Sequence, residues 1–305
     1  MKSVIADGIH YFGLSGFPIT VRRVGTDAHR TPSHPHDLTE VEHSHDFSEL
    51  VIVTNGSAMH WLEGTDFPVA AGDIFLLQGR QRHYFHQRTN LELINIMYDP
   101  NQIGLPENEL RRMPGYCAMF MLEPNYRRQH RFASRLHLGR VLLARAERLA
   151  EEMEVESIST DTGHSIVLRA KLMELLVFLS RAYTNSDSVE AHALLRLGDV
   201  IGALESDYAK DWKLDDLVKV AHMSRSNLMR TFRKATGKTP IEYLLRIRIQ
   251  RAMAMLRNSD RTITEIAMEV GFNDSNYFSR QFRRITNESP RDFRRGSTPS
   301  APPRL

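Results

Sequence analysis

Two clusters of residues carry types and spacings suited to chemistry. The first is the stretch HSHDFSEL, which places His43, His45 and Glu49 at alternate positions. In an extended strand alternate side chains share a face, so two imidazoles and a carboxylate would converge on one point. Such a set suits a divalent transition metal. It equally suits hydrogen bonding to the hydroxyls of a polyol, with Trp61 or Phe75 as a stacking face. Simple packing of the same residues is the third reading, and the spacing leaves all three open. The second cluster is basic. Arg225, Ser226, Asn227, Met229, Arg230 and Arg233 recur in kind as Ser275, Asn276, Arg280, Arg283 and Arg284. Arginine pairs bidentately with guanine and asparagine with adenine, so these are groups able to read base edges.

The elements that must hold the first cluster are strands. From Val41 to Met97 the texture is β: ELVIVTNG runs into Asn55-Gly56, which reads as a tight turn. AMHWLEG, FPVAAGD and IFLLQG follow, each closed by a glycine, and then HYFHQR and LELINIMYD. Short strands punctuated by turns predict a barrel or sandwich. His36, His60 and His86 read as surface or turn residues. The segment RTPSHPHD, Arg30 to Asp37, reads as a loop or arm.

Beyond Asp99-Pro100 the periodicity becomes helical. Leu138, Val141, Leu142, Leu149 and Met153 mark one amphipathic helix, and Ile166 to Tyr183 a second that is apolar around much of its circumference. These helices either complete the core or form a dimer seam. TNSDSVEA, Thr184 to Ala191, reads as a linker.

The second cluster rests on a duplicated unit. Leu217 and Ile266 lie 49 apart, while Leu228 and Phe278, Arg230 and Arg280, and Phe232 and Phe282 lie 50 apart. Each copy reads as a short helix, a break and a second helix opened by an N-cap, Ser224 or Asp274. That pattern predicts two helix-turn-helix units, about 214–236 and 263–286, whose second helices enter a DNA major groove. A long helix from Pro240 to Asn258 joins them.

Charge divides the same way. Residues 1–195 hold 19 Lys and Arg against 24 Asp and Glu, giving −5; residues 196–305 hold 21 against 13, giving +8. A basic C-terminal third suggests nucleic acid bound at one end. Cys117 is the single cysteine, so no internal disulfide can form, and no apolar run reaches a membrane span. With no secretory signal read at the N-terminus, the expected location is the bacterial cytoplasm.

SRSNLMRTFRKATGKTPIEYLLRIRIQRAMAML, ITEIAMEVGFNDSNYFSRQFRR and SPRDFRR together resemble the AraC/XylS family of bacterial transcription regulators, over about Leu194 to Arg295. The resemblance implies base-reading positions at Ser226, Met229, Arg230, Ser275, Asn276 and Arg280. Val218 departs from the small alanine usual there. His43, His45, Glu49 and Gly56, followed by Gly72 and His83, are similar to the metal motif of the cupin fold, with His83 in place of a third histidine. Gln78 and Gln87 break that motif where proline and asparagine are expected. HSHDFSELVIVTNG, AAGDIFLL and NYFSRQFRR look most like the rhamnose-responsive regulators.

The resulting expectation is an α+β two-domain chain. A cupin-like barrel with its arm would occupy residues 1–100, a helical dimerisation and linker segment 101–190, and an all-α DNA-binding domain 191–297. The expected function is that of a ligand-responsive, sequence-specific regulator, chiefly an activator, of a carbohydrate-utilisation operon. It would act as a homodimer on double-stranded DNA and RNA polymerase. The effector, a sugar, would be held by His43, His45, Glu49, Trp61, Phe75 and His83. No cofactor is required, although a divalent transition metal fits the same residues. The alternative is a cupin metal-dependent enzyme, a dioxygenase or isomerase, fused to a helical domain.

Overall fold

A computed structural model describes residues 4–6, 8–12, 16–25, 41–127 and 132–296. The segment Arg30 to Asp37, expected to be an arm, lies outside the described residues. The chain divides into two compact units, Met1–Leu195 and Arg196–Leu305. The boundary falls where the charge changes sign, and the helices between residues 107 and 184 belong to the first unit.

Among the described residues eight strands build the first unit: β1 (Val4–Ala6), β2 (Ile19–Val24), β3 (His43–His45), β4 (Ser48–Leu62), β5 (Thr65–Ala70), β6 (Asp73–Leu77), β7 (His83–Tyr98) and β8 (Leu136–His137). They form one sheet in the order β1-β3-β7-β4-β6-β8, with β2 on β7 and β5 on β4. The expected closed barrel is not formed among the described residues, since β1 and β8 remain as unjoined ends of the path. The long strands β4 and β7 take different partners along their lengths. Val51, Val53, Ala58, Leu62, Phe67, Phe75, Leu77 and Phe85 pack together into one apolar cluster.

The predicted turn at Asn55-Gly56 is a bulge instead. β4 runs unbroken through it, and its register against β7 shifts between Val53 and Met59. Gly56 sits at φ +69°, and a Cβ there would lie 2.1 Å from the carbonyl oxygen of Asn90. A glycine at a bulge supplies that conformation without steric cost.

Among the described residues this unit also holds α1 (Gly8–Tyr11), α2 (Glu107–Leu110), α3 (Pro114–Tyr116), a π-helical stretch (Cys117–Leu122), α4 (Glu123–Tyr126), α5 (Arg140–Ser157) and α6 (His164–Thr184). α5 packs on β2, β4, β7 and α6. Leu168, Leu172, Leu175, Leu176 and Leu179 of α6 are fully buried, whereas Val155, Ile158, Ile166 and Val167 about the α5–α6 connection stay exposed.

After α7 (Val189–Ser206) the second unit is helical: α8 (Leu214–Ala221), α9 (Arg225–Thr236), α10 (Pro240–Asn258), α11 (Ile263–Glu269), α12 (Ser275–Thr286) and α13 (Pro290–Arg294). The breaks are chemically defined. His222 closes α8 in the left-handed region, and Ser224 caps α9 by accepting a hydrogen bond from the Asn227 amide. Gly271, at φ +90°, follows α11, and Asp274 caps α12 through the Asn276 amide. A capping box of Thr239 and Glu242 with Pro240 starts α10.

Candidate functional site

Three short stretches bring the histidines together. β3 pairs with β7 so that His43 stands opposite His83, while Glu49 occupies the start of β4. His45 Nε2 lies 3.1 Å and His83 Nε2 3.7 Å from Glu49 Oε2. All three side chains are buried, and one donor atom from each lies within 4.8 Å of the others. Backbone carbonyls fix two of the rings. The Nδ1 atoms of His43 and His45 contact the carbonyl oxygens of Val41 (3.0 Å) and Phe47 (2.8 Å). His45 also stacks on Phe47 with centroids 4.5 Å apart. His83 is held neutral, its pKa well below the usual imidazole value, by burial first and then by the neighbouring His43 and His45.

The space between these groups is a cavity of about 20 Å³, also lined by Tyr11, Asn95 and Met97. That volume admits one water or one ion. Ligand pockets run from about 300 to 1,000 Å³, so a sugar needs the cavity to open. The first unit has a second, larger concavity of about 880 Å³, lined by Asp73, Arg135, His137, Arg145, Phe178 and Arg181 among others. None of the effector residues expected from the sequence lines it, although Leu138 and Leu142 do.

Two expectations about this region change. His60 is fully buried rather than superficial. Its ring is sandwiched between Phe75 at 5.1 Å and Phe85 at 4.6 Å, neither ring nitrogen has a hydrogen-bond partner, and burial holds its pKa well down. Trp61, expected as a stacking face, points the other way and stacks on Tyr84 at 5.1 Å. The bulge in β4 is the cause. Strict alternation from Glu49 through Val51 and Val53 would turn Trp61 inward, but one extra residue reverses the phase and turns His60 inward instead. Phe75 faces the interior yet does not line the cavity, being covered by His60.

Sequence reasoning also missed Arg127. It is fully buried, pairs with Glu123 at 2.7 Å, donates to the Leu76 carbonyl at 2.6 Å and lies 4.9 Å over the Phe132 ring. The four-residue spacing of Glu123 and Arg127 was the available signal, and it is equally common on solvated helices.

In the second unit most residues of the sequence-derived faces are exposed. Arg225, Ser226, Arg230 and Arg233 of α9 are exposed and Met229 is half-buried, while Leu228 and Phe232 are buried. On α12, Asn276, Arg280, Arg283 and Arg284 are exposed and Ser275 is half-buried, over buried Phe278 and Phe282. Arg230 donates to Asn227 Oδ1 at 2.9 Å, and the Arg280 guanidinium lies 5.9 Å over the Tyr277 ring. Among the described residues no helix is long and apolar enough to cross a membrane.

Comparison with known proteins matches residues 32–176 to the AraC-like ligand binding domain and residues 217–296 to a helix-turn-helix domain. The HTH-type transcriptional activator RhaS of Klebsiella pneumoniae (strain 342) is 31% identical over 256 residues, covering 84% of this chain and 87% of that protein. RhaS of Citrobacter koseri is 31% identical over 265 residues with the same coverage. Among solved structures, a transcriptional regulator with an AraC-type DNA-binding domain from Chromobacterium violaceum is 27% identical; it covers 34% of this chain and 95% of its own, at a TM-score of 0.32. With a ligand-binding domain ahead of a helix-turn-helix domain and relatives that are regulators rather than enzymes, the chain belongs to the AraC family of ligand-responsive transcription regulators.

Proposed function

We propose that this chain is a sugar-responsive activator that reads DNA with two helix-turn-helix units, α8–α9 and α11–α12. The observation that carries the reading is the repetition of an outward Arg, Ser and Asn face on α9 and α12, each backed by buried aromatic or aliphatic residues at matched positions. α10 spans about 28 Å at 1.5 Å per residue. That is of the order of the ~34 Å between successive major-groove faces on one side of a duplex. Ser226, Met229, Arg230, Ser275, Asn276 and Arg280 then face base edges, with Met229 giving apolar contact, for instance to a thymine methyl. Arg225, Arg233 and Arg283 hold phosphates.

The effector enters the cupin-like interior at His43, His45, Glu49 and His83. Ala6 and Tyr11 belong to the N-terminal segment and line that cavity, so its opening involves β1 and α1. Displacing this segment couples effector binding to the state of the first unit. The exposed apolar residues about the α5–α6 connection suit a homodimer, and the regulator then engages RNA polymerase in the bacterial cytoplasm.

Selection of bound DNA from a random pool by the full chain tests the reading. The expected result is a bipartite site with two conserved blocks about 10–10.5 bp apart. A single block, or no enrichment, would overturn the two-unit reading. The sugar class is tested separately, by a promoter reporter challenged with a panel of pentoses, hexoses and deoxyhexoses.

A further inference from the structure

His45 and Glu49 face one another in a buried site with their facing atoms unsatisfied. His45 Nδ1 lies 2.8 Å from the Phe47 carbonyl oxygen and donates to it. That leaves Nε2 as the ring atom turned to Glu49 Oε2, 3.1 Å away. Neither of these two atoms has a hydrogen-bond partner. His83 repeats the problem: Nε2 lies 3.7 Å from the same carboxylate oxygen, and both of its ring nitrogens are unpartnered and buried. A cation among the three takes one donor atom from each residue, His45 Nε2 and Glu49 Oε2 included, and leaves a single His83 ring nitrogen without a partner.

From this we infer that His45, Glu49 and His83 bind one divalent first-row transition ion, inside the same cavity that the proposed function assigns to the effector. Ligand lengths of about 2.0–2.2 Å to nitrogen and oxygen place two donors on one ion at most ~4.4 Å apart. The observed set, all within 4.8 Å, needs only a few tenths of an ångström of adjustment. The volume fits as well, because 20 Å³ holds an ion without rearrangement. The Phe47 carbonyl is the outer partner that orients the His45 ring, as metal-ligating imidazoles require. Two imidazoles and one carboxylate leave further positions open, to which vicinal hydroxyls of an effector can coordinate. That last step deepens the effector reading; ion binding itself is independent of it.

The test uses the full chain, stripped with a chelator and titrated with Zn²⁺ against a competing indicator. One equivalent is expected to bind, with a matching rise in the thermal midpoint. Glu49→Gln and His83→Gln are expected to weaken that equivalent by at least about 10-fold. His86→Ala and His137→Ala, histidines outside the cavity that pair with Asp66 and Asp73, are expected to leave it unchanged. Cu²⁺ bound to the unmutated chain provides a check that needs no variant, through nitrogen couplings from two imidazoles in its electron paramagnetic resonance spectrum. No tight equivalent in the wild type, or one retained by both Gln variants, overturns the proposal. DNA selection by the same stripped protein separates the outcomes: if it succeeds while Zn²⁺ uptake fails, the regulator reading stands and only the ion site falls.

Discussion

Arg230 and Arg280 occupy matched places on α9 and α12, but their surroundings differ. Arg230 is tethered to Asn227, and Arg280 lies over Tyr277. Both restraints reduce the freedom a long side chain loses when it pairs with a base. Arg230→Ala and Arg280→Ala are each expected to cost about 1–3 kcal/mol at the operator and to relax base choice at one position. Fluorescence anisotropy with single-base operator variants measures both effects, and unchanged affinity and preference in both mutants would remove direct readout. His60 makes a different residue-scale prediction. Its folded pKa is depressed below the ordinary 6.5, so it stays neutral where the unfolded chain takes up a proton. The sign follows: its stabilisation is complete above about 6.5 and is lost as pH falls below that value. His60→Phe is expected to shallow the acid limb of the thermal-midpoint profile relative to wild type, and parallel limbs would show that His60 does not set it.

At the scale of elements, the helices were legible and the strands only in part. α10 runs from Pro240 to Asn258 as its sequence indicates, because a capping box and an N1 proline are local signals that tertiary context does not need to confirm. The N-caps Ser224 and Asp274 are local in the same sense. β4 was different. Asn-Gly serves a hairpin turn and a bulge equally well, since both need a positive φ, and only the partner strand decides. Asn90 and Thr89 of β7 close over Gly56, and that long-range contact is absent from any local window. The consequence passed down the strand, exchanging the faces of His60 and Trp61. Gly56→Ala is accordingly expected to destabilise the chain by at least about 1–3 kcal/mol, the cost of a strained backbone conformation. Denaturant unfolding measures this, and a loss within about 0.5 kcal/mol, the range of neutral surface changes, would place the bulge elsewhere.

For the whole molecule, composition was the informative signal. The sign change between −5 and +8 coincides with the division of the chain after Leu195. Charge is legible at this scale because counterion release depends on the number of cations near phosphate rather than on their arrangement. DNA affinity is therefore expected to fall steeply with salt, and Arg233→Ala to reduce the log–log slope by about 1 while weakening all sequences alike. Sequence-dependent losses would instead make Arg233 a base reader. Self-association was only partly legible: α6 is apolar on several sides, but its leucines serve the first unit's own core. Val155, Ile158, Ile166 and Val167 are among the exposed apolar residues left for a second copy. Ile166→Asp combined with Val155→Asp is expected to abolish the proposed homodimer in sedimentation equilibrium, with far-ultraviolet circular dichroism unchanged. A dimer that survives both charges would move the seam.

The outward turn of Trp61 also makes the chain its own spectroscopic instrument. The sequence contains two tryptophans, and they fall in different units. Trp61 stacks on Tyr84 in the sheet, while Trp212 donates its indole hydrogen to the Asp207 carbonyl beneath the Lys210 ammonium. Trp61→Phe leaves emission from the DNA-binding unit alone, and Trp212→Phe leaves emission from the sensor alone. With selective excitation, the order in which effector, ion and DNA perturb each half becomes readable in solution without any attached dye.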